Sequence, residues 1–188
     1  MNYYVFSITY MAIFGYFGHF AKISKNTNII LILLTGIVVN IPIDNISINM
    51  LTYSFFGEMS ILTFALSLML LFESFKIQKI QNNFMDIKAF IFIFIFGLIL
   101  YLSVLNIIPL NLYYQSPQIV IIICCLLTFL AYVINKSLGM IYFICLLSYG
   151  LKLMESNNLF DYLIDVPVWI FSILYIFVII VKKIVSKK

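Results

Sequence analysis

Between positions 89 and 108 the chain reads AFIFIFIFGLILYLSVLNII, without a single charge. That is the length, about 20 residues, that a helix needs to cross the hydrocarbon layer of a bilayer. Six more apolar stretches accompany it, at 3–20, 29–43, 51–75, 118–134, 138–151 and 166–181. Runs this long without strict alternation suit helices, which satisfy their own backbone groups in lipid. The stretches at 29–43 and 138–151 are short, and crossing there requires flanking residues or a locally thinned bilayer.

Composition rules out the soluble alternative. Only 10% of the 188 residues are charged and 64% are hydrophobic, whereas about a quarter of a soluble domain is charged. A small water-soluble domain keeps too much area outside to hide this many apolar side chains. The N-terminal MNYYVFSITYM lacks a basic leader and a small-residue cleavage site, and so reads as a retained first span.

Charge placement supplies the orientation. With the N-terminus outside and seven crossings, Lys22, Lys25, Lys76, Lys79, Lys88 and Lys136 fall in inner loops, and Lys182, Lys183, Lys187 and Lys188 in the inner tail. Lys152 is then the one outer lysine of the eleven, among Asp44, Glu155, Asp161 and Asp165. This is the asymmetry that the positive-inside rule requires. The expected fold is therefore all-α: a single polytopic domain over 1–188, a bundle of about seven transmembrane helices, N-out and C-in, in a bacterial inner membrane. Spans one to three and five to seven alternate alike, without a residue-level repeat.

The outer loops carry more detail. Residues 106–118 hold two prolines and the Tyr113–Tyr114 pair without a charge, as a segment at headgroup depth would. In ESNNLFDYLIDVPVW, Ser156 or Asn157 is a candidate N-cap for a short interfacial helix, with Asp161 and Asp165 on one face. Pro167 suits the first position of the last span.

Candidate chemistry centres on Glu58, in SFFGEMSILTF. If one helix fills 51–75, Glu58 lies roughly 10 Å inside, where a charge needs a partner or a neutral form. If the helix starts near Gly57, Glu58 sits in its first turn, where exposed N–H groups and the dipole favour an anion. The same stretch carries Ser54, Gly57, Ser60, Thr63, Ser67 and Ser74 at near-helical spacing, opposite a small-residue series Ala12, Gly15, Gly18 and Ala21. Such residues let helices approach and hydrogen-bond; the alternative role is a polar path for a substrate or ion. Asn40, with Pro42, interrupts the second stretch and either frees carbonyls for a ligand or ends a helix.

His19 and Glu73 fall at the inner ends of the first and third stretches and form a candidate inner pair, while Glu73 also has Lys76 three residues on. Cys124, Cys125 and Cys145 lie in apolar runs without metal or redox spacing and read as small core residues. No metal site, cofactor motif or hydrolase signature is present. With one His and no Arg, any phosphate recognition falls to Lys, backbone amides or hydroxyls. The lysines form no dense basic face, so nucleic acid is not an expected partner; the bilayer is, and other membrane subunits are further candidates. The expected function is a small transporter-like or substrate-binding membrane component for a solute or lipid. The alternatives are an accessory subunit of a membrane complex and a lipid-modifying membrane enzyme.

Overall fold

A computed structural model describes residues 3–75 and 85–185. Lys76, Lys79, Lys187 and Lys188, placed inside by charge, lie outside the described residues. The chain forms helices α1 (Phe6–Phe20), α2 (Lys25–Val38), α3 (Ile48–Phe56), α4 (Ile61–Ser74), α5 (Ile87–Val104), α6 (Pro117–Ile134), α7 (Lys136–Gly150), α8 (Phe160–Leu163) and α9 (Val166–Val185). They divide between two compact units, with α1–α4 in the first and α5–α9 in the second.

Every apolar stretch of the sequence yields a helix, but the seven are unequal. Among the described residues, only α5, α6 and α9 are long and apolar enough to cross a membrane, and all three belong to the second unit. Helices α2 and α4 have 14 residues each and α1 and α7 have 15. At ~1.5 Å per residue they reach just over 20 Å, short of a ~30 Å hydrocarbon core. The long third stretch forms two helices, α3 and α4. Gly57 follows α3 at φ 70°, ψ −146°, a conformation essentially reserved for glycine, and α4 begins four residues later.

Short polar residues define the helix starts. Ser24, Ser47, Ser60, Asp86 and Asn135 each accept a hydrogen bond from the backbone N–H three residues on, satisfying one of the free donors of the first turn. Three helix ends use another repeated device. Lys22, Asn106 and Lys152 take left-handed φ of 57°, 54° and 52°. In each case the next residue's N–H reaches back five residues: Ile23 to Gly18, Ile107 to Leu102 and Leu153 to Ser148. This is the Schellman closure, made here without glycine; at Lys22 and Lys152 it also sets a cation near the negative end of a helix.

In the first unit α1 packs against both α2 and α4, while α3 lies against α1 and the short turn Tyr3–Val5 before it. In the second, α6 and α7 pack together across a turn made by Asn135 alone, and α5 packs on α9. The α5–α9 seam is aromatic: Phe90 meets Phe171 and Tyr175, and Tyr101 meets Trp169 edge-on. A Cβ at Gly97 would run into the Trp169 ring, so the glycine admits the indole, whose Nε1 donates to the Phe94 carbonyl at 3.1 Å. Trp169 is therefore a helix–helix anchor.

Outward faces remain apolar. Of the most apolar windows of α6 and α9, only 17% and 11% of residues are buried. Exposed Phe129 and Phe177 are typical of these faces, which suit lipid rather than water.

Candidate functional site

The break after Gly57 decides where Glu58 goes. It lies outside both helices, two residues before the Ser60 cap of α4. It is half-buried, and its Oε1 is shielded from solvent. Neither sequence alternative described this linker position, which is closer to the helix-start reading than to a continuous span.

The same break divides the polar stripe. Ser54 stays on α3, exposed, and donates to its own helix at the Met50 carbonyl, 2.9 Å away. Ser60, Thr63, Ser67 and Ser74 are all buried. Ser60 Oγ accepts from Thr63 N at 3.0 Å, and Ser67 Oγ lies 2.9 Å from Thr9 Oγ1 of α1. Thr9 also donates to the Met59 sulfur at 3.3 Å. These contacts join α4 to α1 in the manner of interhelical hydrogen bonds in lipid. Ala12, Gly15 and Gly18 are buried in α1 as the small-residue series anticipated, whereas Ala21 is exposed.

Asn40 enters a second polar knot. Its Nδ2 donates to Gly36 O at 2.7 Å and Ser7 Oγ at 2.8 Å, and its Oδ1 accepts from Asn49 Nδ2 at 2.8 Å. Asn49 also reaches Ser7 Oγ at 2.8 Å. The knot ties α1, the end of α2 and the start of α3, and the carbonyl at the broken end of α2 is taken up by Asn40 itself.

Sequence reasoning missed Asn49 and Asn28, which are fully or nearly fully buried. Asn28 Nδ2 donates to the carbonyls of Gly15 at 3.1 Å and Ser74 at 3.4 Å, so one α2 amide binds α1 and α4. A Cβ on Gly15 would lie 2.9 Å from Ile32 and Ser74 side-chain atoms, and one on Gly18 would strike Asn28 Oδ1. The available signal was glycine spacing in α1, which called for a close polar neighbour without naming it.

His19 and Glu73 are both exposed, and no hydrogen bond or ion pair joins them. Cys124 and Cys145 are buried and Cys125 is exposed, all as free thiols. Asp44 belongs to the first unit, in a tight turn with Asn45 where both residues have positive φ.

In the second unit the loops that follow α5 and α7 are held by Asp161. Its carboxylate accepts from Tyr113 Oη at 3.0 Å at both oxygens, and from Ser156 Oγ. Burial, and then the Asp161 charge, push the Tyr113 phenol well above its ordinary range. Asn158 Nδ2 donates to the Tyr113 carbonyl at 2.8 Å, and Ser103 Oγ bonds the Leu110 carbonyl. The expected interfacial helix shrinks to α8, four residues long. Neither Ser156 nor Asn157 caps it; Asn158 Oδ1 takes the Phe160 N–H instead, and Asp165 accepts from Val168 N at the start of α9. Pro167 is the second residue of α9 rather than its first.

Cavities open in this unit among the described residues. One of about 290 Å³ opens among Gln115, Tyr149, Ser156 and Asn158, whose polar groups already bond within the loops. Another is a groove of about 500 Å³ between α5 and α6. Ile91, Ile95 and Ile99 line its α5 side and Ile123 and Leu127 its α6 side; Phe160 and, from the start of α5, Lys88 line it too. Comparison with known protein families, curated proteins and solved structures finds no match for this chain.

Proposed function

We propose that the protein is a small polytopic component of a bacterial inner membrane that binds a lipid. Its seven apolar stretches cross in the N-out, C-in sense, with the bilayer thinned around the short helices. The distribution of lysines supports that orientation. The observation that carries the function is the α5–α6 groove: apolar along its length and set between two helices long enough to span. A groove of such lining suits a hydrocarbon chain better than a polar solute. The buried hydroxyls and amides of the first unit support the same reading, because they bond helix to helix. The test is to purify the protein in mild detergent and quantify retained phospholipid per chain. Ile95→Trp, which fills the groove, should reduce it to the level of a control membrane protein; retention unchanged by the substitution would refute the assignment.

A second reading keeps the solute-path role for Glu58. It is favoured by the half-buried carboxylate at a helix break, a geometry shared with discontinuous transporter helices. A thermal-shift screen of solutes against wild type and Glu58→Gln separates the two. Solute stabilisation lost on substitution supports the path, and binding indifferent to it removes Glu58 from consideration.

A further inference from the structure

We propose that the α5–α6 groove takes a phospholipid with an anionic headgroup, its phosphate held at Lys88 and one acyl chain running between the helices toward Phe160. This rests on the lipid-binding reading above and adds the class of lipid and its direction.

Among the described residues, Lys88 is the one charged residue lining the groove, and it is exposed. Lys88, Ile91, Ile95 and Ile99 follow one another at helical spacing, so a single face of α5 begins with an ammonium and continues as hydrocarbon. From Lys88 to Ile99 the face runs about 17 Å. One leaflet of a ~30 Å hydrocarbon core is ~15 Å deep, so the groove matches one chain depth measured from its headgroup. Phe160, which is 1% exposed and has its ring centroid 6.1 Å from that of Phe96, lines the groove as well.

The described charges near Lys88 do not oppose an anion there. Asp86 is used in place, accepting from Ala89 N at 3.2 Å and from Asn135 Nδ2 at 3.3 Å. That second bond brings the end of α6 and the start of α7 to the start of α5, and with them Lys136, which is exposed. Among the described residues, the carboxylate nearest Lys88 in the chain is thus already engaged as a helix cap. In a chain without Arg, Lys is the side chain left to bind a phosphate as a point charge.

The test uses the full-length protein, stripped of lipid in detergent and titrated with phosphatidylglycerol or phosphatidylcholine under native mass spectrometry. Wild type should prefer phosphatidylglycerol about fivefold, the order of one lysine's attraction to anionic lipid. Lys88→Gln should abolish the preference while phosphatidylcholine still binds, and Lys88→Arg should keep it. Leu127→Trp, and Ile99→Trp as a second variant, should weaken both lipids. Equal binding of the two lipids by wild type, or a preference that survives Lys88→Gln, overturns the headgroup assignment and leaves the chain-binding groove standing. Lipid binding that both tryptophan variants leave intact overturns the site, and no binding of either lipid overturns the lipid-binding function itself.

Discussion

Asn28 of α2 places its Nδ2 3.1 Å from the carbonyl oxygen of Gly15 in α1, thirteen residues earlier in the chain. The bond requires both partners to be unusual: an amide buried in an apolar helix, and a helix face without a Cβ at Gly15 or Gly18. The consequence is that Gly18 and Asn28 are energetically coupled. Gly18→Ala should destabilise the protein by about 1–3 kcal/mol, because the new methyl lands on Asn28 Oδ1. Asn28→Ala alone should cost about 1–2 kcal/mol. In the double variant the alanine at 18 finds space, so its cost should fall by about 1 kcal/mol or more. Unfolding titrations in micelles measure the cycle, and strict additivity would contradict the contact.

Gly57 is needed for its backbone alone. A Cβ there would meet nothing within 4 Å, yet its φ is +70°. Gly57→Ala should cost about 1–3 kcal/mol. Gly150 is equally open but has ordinary φ at the end of α7, so Gly150→Ala should be neutral or slightly stabilising. Melting temperatures of the two variants separate strain from packing.

Tyr142 is fully buried, and its hydroxyl meets no hydrogen-bond partner among the described residues. Its ring packs near Phe92 and Phe96. Tyr142→Phe keeps the ring and removes a desolvated polar group, so stability should hold or rise by about 1 kcal/mol. A clear loss in the same micelle assay would mean that the hydroxyl is satisfied by bound water.

Tyr113 predicts an alkaline limit. Its folded pKa is raised above the unfolded value, by burial first and then by Asp161. The folded state therefore holds the proton more tightly than the unfolded chain, whose tyrosine titrates near ~10. The stabilisation is complete below that pH and is lost as pH climbs above it. Melting temperature measured from about pH 8 to 11 should fall more steeply in wild type than in Tyr113→Phe. Identical slopes would remove Tyr113 from the loop network.

Much of this was readable along the chain. Packing roles for Gly15, Gly18 and Ser67 follow from small residues at helical spacing, but the cap candidates read from the sequence, Ser156 and Asn157, do not cap α8. The stripe through Ser54 and Ser67 was misjudged as continuous because spacing arguments assume an unbroken helix. One positive-φ glycine shifts the phase of everything after it, leaving Ser54 on α3 and Ser67 facing Thr9. The groove was not legible at all: Ile95 and Leu127 look like any lipid-facing residues until α5 and α6 are seen to leave space between them.

By itself the sequence determined that this is an all-helical chain suited to lipid. The preference of each side chain for hydrocarbon or water is a local property that adds up along a run, and capping chemistry is confined to one turn. Tertiary structure alone decided that Asn28 serves three helices, that Asn40 and Asn49 share Ser7, and that Lys88 heads an apolar groove. Those relations depend on the distance and angle between segments far apart in the chain, which no local preference encodes.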